Sequence, residues 1–194
     1  LKQSGLLWYN KLKEILLSIS FEQNLYEQCC FNINKNNKNI IVGIYVDDLF
    51  ILTKNKHDED WLIKMLKHNL KEITINKNNK FQFLGMNFNL SMKNKITIDN
   101  KNYIENLLKD ENINESVNTP ASNNILFVNE LEDILCEEEQ NKIRSITYKL
   151  MYLATRTRPD IYFAVNHLCT KINKYTLDDK RKVNRVLKYL HGTV

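Results

Sequence analysis

Ile40-Ile41-Val42-Gly43-Ile44-Tyr45-Val46-Asp47-Asp48-Leu49-Phe50-Ile51-Leu52 places two adjacent carboxylates between two apolar runs. Each run is the right length for a buried strand and, once broken at the acidic pair, too short for a helix. The stretch therefore predicts a β-hairpin with the aspartates at its tip. A tight hairpin turn prefers Asn-Gly, Asp-Gly or Gly-X, because its central residues need positive φ. Two aspartates suit that turn poorly and repel each other, so something other than the turn must want them. A divalent cation is the best candidate, since hard oxygen ligands suit Mg²⁺ and its charge removes the repulsion.

Outward from the hairpin, 194 residues fit one domain or two small ones with enough apolar content for a real core. The chain shows no initiator Met, no charged-then-apolar leader and no apolar run near the length of a membrane span, which predicts a soluble piece of a longer protein. Cys29, Cys30, Cys136 and Cys169 include a vicinal pair and lack zinc-ligand spacing to a His, so they read as reduced core cysteines of an intracellular protein. The net charge of +5 is unevenly spread. Gln140 to Val194 holds twelve Lys or Arg against three acids, and the rest holds sixteen against twenty. The basic last quarter could track a phosphate backbone. Solvated faces of amphipathic helices explain the same charge.

Periodicity gives a coarse order of elements. Trp8 to Ile19 has apolar residues at helical spacing. Strands are expected at Gln28 to Ile33, Ile40 to Val46 and Leu49 to Thr53, with an Asn/Lys loop between the first two. A helix follows at Asp58 to Leu70, with Asp58 as its candidate cap. Phe81 to Leu90 alternates around Gly85, and Lys95 to Ile98 pairs with it. The pattern then turns helical at Asn102 to Lys109, Glu137 to Thr155, Pro159 to Ile172 and Leu177 to Leu190. Pro159 and Asp160 suit a helix start, as do Asp178 and Asp179. The expected fold class is α+β: residues 1–98 form an antiparallel sheet with packed helices, and 99–194 form a mostly helical region.

These residues carry a resemblance. Tyr45-Val46-Asp47-Asp48 resembles the catalytic hairpin of reverse transcriptases, in particular the copia-type LTR retrotransposon branch. Leu1-Lys2-Gln3-Ser4 with Trp8-Tyr9 is similar to that branch's segment upstream of the hairpin, and Phe83-Leu84-Gly85 to its turn after the palm helix. Leu150-Met151-Tyr152-Leu153-Ala154, Thr157-Arg158-Pro159-Asp160-Ile161 and Leu187-Lys188-Tyr189-Leu190-His191-Gly192-Thr193 resemble its C-terminal blocks. The six blocks stand in the family's order and span the chain.

The resemblance implies the C-terminal half of a palm at 1–98, then a thumb or connection region at 99–194 leading toward RNase H in a Pol polyprotein. It implies RNA- and DNA-directed DNA synthesis with Mg²⁺ or Mn²⁺, one ion acidifying the primer 3′-hydroxyl and the other steadying the triphosphate. Asp47 matches the direct metal ligand and Asp48 its neighbour. Tyr45 matches a tyrosine near the primer end, and Gln3 a glutamine near the templating base pair. The turn Phe83, Leu84, Gly85 and Met86 resembles the primer grip. Lys77, with Lys80 as the weaker choice, lies where the family can place a general acid for the pyrophosphate leaving group. Lys180, Arg181, Lys182, Arg185 and Lys188 are the cations expected to meet the primer-template. The implied partners are an RNA or DNA primer-template, deoxynucleoside triphosphates, and the upstream fingers and downstream RNase H of the same polyprotein, with no membrane. The implied location is a cytoplasmic particle or the nucleus.

The chain also departs from the family. The third metal-ligating carboxylate would lie upstream of Leu1, so these residues alone are expected to be inactive. Gly5-Leu6 stands where Pro-Arg is usual, and Tyr148 where a glycine is usual, which questions close helix packing there. Without the family context, an acidic hairpin tip is often only solvated, the Phe83 to Met86 turn is a plain hairpin with a bulge at Gly85, and Tyr45 and Trp61 are core residues. His57, His68, His167 and His191 show no ligand spacing, and Thr157 to Ile161 reads as a structural helix start. Two functions follow: part of a polymerase, or a non-catalytic transposon remnant that keeps nucleic-acid binding or only the fold.

Overall fold

The helix α1 (Ser4–Ser18) turns Leu12, Ile15 and Leu16 to one side, and these three residues are buried. They meet a four-stranded antiparallel sheet of β1 (Glu22–Gln23), β2 (Cys30–Lys35), β3 (Lys38–Tyr45) and β4 (Asp48–Thr53), paired in that order. The period-two alternation works as expected. Ile40, Val42 and Ile44 on β3 and Phe31 and Ile33 on β2 face inward, where they pack with α1 and with Leu62 and Leu66 of α2 (Lys56–Asn69). Burial of such side chains contributes about 1.5–3 kcal/mol each, which makes this face the main support of the hairpin. The other face stays open, with Ile41, Tyr45 and Leu52 exposed. The computed structural model describes residues 4–35, 38–127 and 133–194.

The start of α2 differs from expectation. Asn55, not Asp58, is the cap, and its side-chain oxygen accepts from the Asp58 backbone N–H at 2.9 Å. Asp58 lies in the first turn and is only 2% exposed. Its carboxylate accepts from the Asn55 side-chain amide and from the Asn39 backbone N–H, at 3.2 and 3.3 Å. A capping oxygen must precede the first free amides of the helix, and Asn55 is the residue placed to do that. Asp58 instead ties the helix start to β3.

The chain forms two compact units, Leu1–Lys77 and Asn78–Val194. The second begins with its own antiparallel sheet, β5 (Lys80–Phe83), β6 (Met86–Met92) and β7 (Lys95–Asp99). The strands divide between two sheets, and the second groups with the helices that follow it. Those helices are α3 (Lys101–Asp110), α4 (Glu137–Arg156), α5 (Tyr162–Cys169) and α6 (Leu177–His191). A single 3₁₀ turn at Pro159–Ile161 precedes α5, so the expected Pro159 helix opens in 3₁₀ form. The core of this unit gathers Ile104, Leu107, Leu150, Leu153, Leu168, Val183 and Leu187 with their neighbours, all from helical segments or their connections. A capping box closes the start of α6, with Thr176 and Asp179 satisfying each other's backbone N–H groups.

Two further expectations are corrected. None of the four cysteines is buried: Cys29 and Cys136 are exposed, and Cys30 and Cys169 are half-buried, all as free thiols. Cys29 lies just before β2 and Cys136 caps α4, both at element edges rather than on inward faces. Tyr148 is 58% exposed, so its ring stands outside the helical core. Among the described residues, no helix is long and apolar enough to cross a membrane.

Candidate metal and nucleic-acid site

Tyr45 pairs directly with Asp48 across the hairpin, which leaves Val46 and Asp47 as the two central turn residues. The acidic pair therefore straddles the end of the turn, with Asp47 inside it and Asp48 opening β4. Val46 takes φ +54°, a left-handed conformation that a β-branched residue rarely adopts. Paired residues share a face, so Asp48 projects on the open side with Tyr45, which is 54% exposed and thus not a core residue. Both aspartates are exposed, and neither carboxylate makes a hydrogen bond or ion pair with a described residue. Unpaired carboxylate oxygens fit a hard divalent cation. They supply two ligand side chains, and no group of three or more His, Cys, Asp or Glu that could hold a metal occurs among the described residues.

Lys77 is already engaged. Its Nζ lies 2.7 Å from Glu59 and 3.8 Å from Asp60, both on α2, and the hydrogen bond to Glu59 raises its pKa. Gln3 lies outside the described residues. The Phe83 to Met86 turn is a two-residue hairpin rather than a bulge, with Phe83 paired to Met86 and both central residues, Leu84 and Gly85, at positive φ. Its two carbonyls are held from the helical side. The Tyr152 hydroxyl donates to the Leu84 carbonyl at 2.8 Å, and the Asn100 side-chain amide donates to the Gly85 carbonyl at 2.7 Å.

The five cations expected on the last helix divide into two groups. Arg181, Arg185 and Lys188, with Asn184 and Val117, line one open cleft of about 310 Å³. Lys180 and Lys182 are not among its lining residues; they pair with Glu139 and Asp178, each at a distance below 3 Å. Within the cleft Lys188 contacts Glu115, and Arg185 donates to the Thr119 hydroxyl at 2.9 Å. The pairs with Lys188 and Lys180 hold Glu115 and Glu139 below the usual carboxylate range.

A family model described as reverse transcriptase (RNA-dependent DNA polymerase) matches residues 1–123. The chain belongs to the reverse transcriptase family. Relatives extend the likeness over the whole chain. The Retrovirus-related Pol polyprotein from transposon TNT 1-94 of Nicotiana tabacum is 29% identical, that of transposon RE1 of Arabidopsis thaliana 27%, and a putative transposon Ty5-1 protein of Saccharomyces cerevisiae 26%, each over 100% of this chain. The chain spans 15%, 13% and 62% of the lengths of those three proteins. No solved structure matches.

Sequence reasoning missed two side-chain clusters in this reverse transcriptase chain. One is the Tyr152 and Asn100 pair at the Leu84–Gly85 turn. The other joins two C-terminal blocks. Arg158 forms a two-pronged ion pair with Asp160 and donates to Thr193 Oγ1 at 2.5 Å, while Tyr189 Oη donates to Asp160 at 2.8 Å. Arg158 also lies over the Tyr189 ring, 5.6 Å from its centroid. Hydrogen bonding from Arg158 lowers the Asp160 pKa against its partial burial. The signal for both clusters was the presence of Tyr152, Arg158, Asp160 and Tyr189 within family-like blocks. Nothing in the sequence tells which block each residue reaches.

Proposed function

We propose that this chain is the C-terminal palm half and the following helical region of a transposon reverse transcriptase that extends a primer on an RNA or DNA template. The observation that carries this reading is the unpaired Asp47 and Asp48 at a strained hairpin tip, in a chain of this family. Asp47 and Asp48 would hold Mg²⁺ or Mn²⁺, which when bound acidifies the primer 3′-hydroxyl and offsets charge on the triphosphate. Tyr45, on the same open face as Asp48, would pack against the primer end, and the Leu84–Gly85 turn would steady the primer strand. Arg185 and Lys188 would exchange Thr119 and Glu115 for backbone phosphates, with Arg181 beside them in the cleft. The Lys188–Glu115 pair costs little to give up, since exposed ion pairs contribute about 0–1 kcal/mol. Lys77 must leave Glu59 and Asp60 before it can donate a proton to a leaving group, and a raised pKa makes it a weaker acid for that step.

The test uses a protein extended upstream through the remaining palm and fingers. Asp47→Asn removes metal charge without changing shape, so primer extension should fall at least a thousandfold while duplex binding and thermal stability stay near the parent's. Retention of most extension activity by Asp47→Asn would defeat the metal assignment.

A further inference from the structure

The Leu84–Gly85 turn holds a conformation that its own sequence does not favour. Leu84 has φ +53° and Gly85 φ +73°, the arrangement for which hairpins choose Asn-Gly, and a leucine in the left-handed region is unfavourable. The sheet that carries the turn cannot enforce this by burial, because no residue of β5 to β7 belongs to either hydrophobic core. The constraint comes from polar groups on the helical side. Tyr152, on α4, donates to the Leu84 carbonyl at 2.8 Å. Asn100, at the start of α3 and only 1% exposed, donates through one amide nitrogen to the Gly85 carbonyl at 2.7 Å and to Tyr152 Oη at 3.3 Å. Thr157, at the end of α4, donates to the Asn100 side-chain oxygen at 2.6 Å and so fixes which way that amide points. The Tyr152 ring is in turn set against Tyr103, with centroids 5.2 Å apart. A Cβ added at Gly85 would come within 2.6 Å of the Tyr152 hydroxyl, so the glycine is required both by φ and by this close approach.

We infer that Tyr152, Asn100 and Thr157 are positioning residues that lock the Leu84–Gly85 turn in its left-handed form for contact with the primer strand. Carbonyls at a hairpin tip normally turn to water, yet here both are held by buried or half-buried side chains from another layer. The outer surface of the turn is thereby presented in one fixed shape. A preformed surface loses less freedom on binding than a mobile one, which is how residues that touch no nucleic acid can still set affinity for a primer end. The inference rests on the reading of this turn as primer-facing.

The experiment measures binding of the full 194-residue chain to a duplex with a recessed 3′ end and to the blunt duplex of the same sequence. Tyr152→Phe deletes one hydroxyl and keeps the ring. Its melting temperature should remain close to the parent's, amide exchange across residues 84–87 should rise by about tenfold for the missing hydrogen bond, and the preference for the recessed end should fall at least threefold. Thr157→Val should act in the same direction with a smaller change. Gly85→Val, which disrupts the turn directly, separates the two ways of failing. If Gly85→Val removes the preference and Tyr152→Phe and Thr157→Val both leave it intact, the positioning role is wrong. A parent chain without the preference, or a preference that survives Gly85→Val, ends the primer-facing reading and takes this inference with it.

Discussion

Val46 occupies the first turn position of the acidic hairpin at φ +54°, where glycine would be the ordinary choice. Its side chain is mostly exposed, so little burial compensates the strain. Val46→Gly should therefore stabilise the chain by about 0.5–1 kcal/mol, read from the urea midpoint at unchanged slope. A destabilised variant would show that packing of the valine side chain outweighs the strain. Strain of this kind persists where surrounding structure holds it, here a sheet buried on one face and paired in register to the last residue before the turn. Asp160 gives a second test at this scale. Its folded pKa is lowered, chiefly by the Arg158 hydrogen bond, so its contribution is present above the unfolded carboxylate value near ~4 and is lost as pH falls through the lower folded value. The group is more than a third exposed, so solvent screening limits the effect to about 0.5–1 kcal/mol. Asp160→Asn should show that loss at pH 7 in denaturant melts and none near pH 2; a difference independent of pH would point to packing instead of charge.

Among the elements, α6 carries the clearest division of labour. Its inner face, Val183, Val186, Leu187 and Leu190, belongs to the helical core, while its cations lie toward solvent and toward the loop before α4. The helix is held at both ends, by the Thr176 and Asp179 capping box and by Arg158 reaching Thr193 just beyond its last turn. Such anchoring fixes where Arg181, Arg185 and Lys188 stand. Replacing those three with Gln should flatten the salt dependence of duplex binding, alike for all sequences. The slope of log K against log salt should shrink by about 0.9 for each phosphate that is no longer neutralised. Lys180→Gln and Lys182→Gln should change the slope less, because neither lysine is among the residues that line the cleft. Equal effects from the two sets would remove any special role for the cleft.

At the scale of the whole chain, two cores share no residue. One draws on residues 12 to 70 and the other on residues 104 to 190. Cooperative unfolding follows a shared core, so each unit should carry its own transition. Residues 78–194 expressed alone should give a single sigmoidal thermal transition within several degrees of the same unit's transition in the full chain. A non-cooperative melt would mean that this unit depends on the first for its fold. The proposed chemistry divides along the same line, with the acidic hairpin in the first unit and the turn and cation cleft in the second.

The hairpin, the elements and the family were legible in the sequence because they rest on short-range rules. Period-two alternation through Ile40 to Ile44 sets the buried face, and a helical stripe such as Val183, Val186, Leu187 and Leu190 sets an inner side, whatever they pack against. The Asp47 and Asp48 pair could be singled out for the same reason, since its chemistry conflicts with its local turn. Other features needed the folded chain. Whether Val46-Asp47 or Asp47-Asp48 occupied the turn depended on strand register, and a one-residue shift separates the two. Placement of β5 to β7 with the helices and exposure of the cysteines were decided by neighbours distant in sequence, whereas Asn55 over Asp58 as the cap was set locally, by where the first helical turn begins. The grip of Tyr152 on Leu84 spans 68 residues. No local pattern encodes such a pairing, because hydrogen-bonding groups find their partners only after burial has brought the layers together.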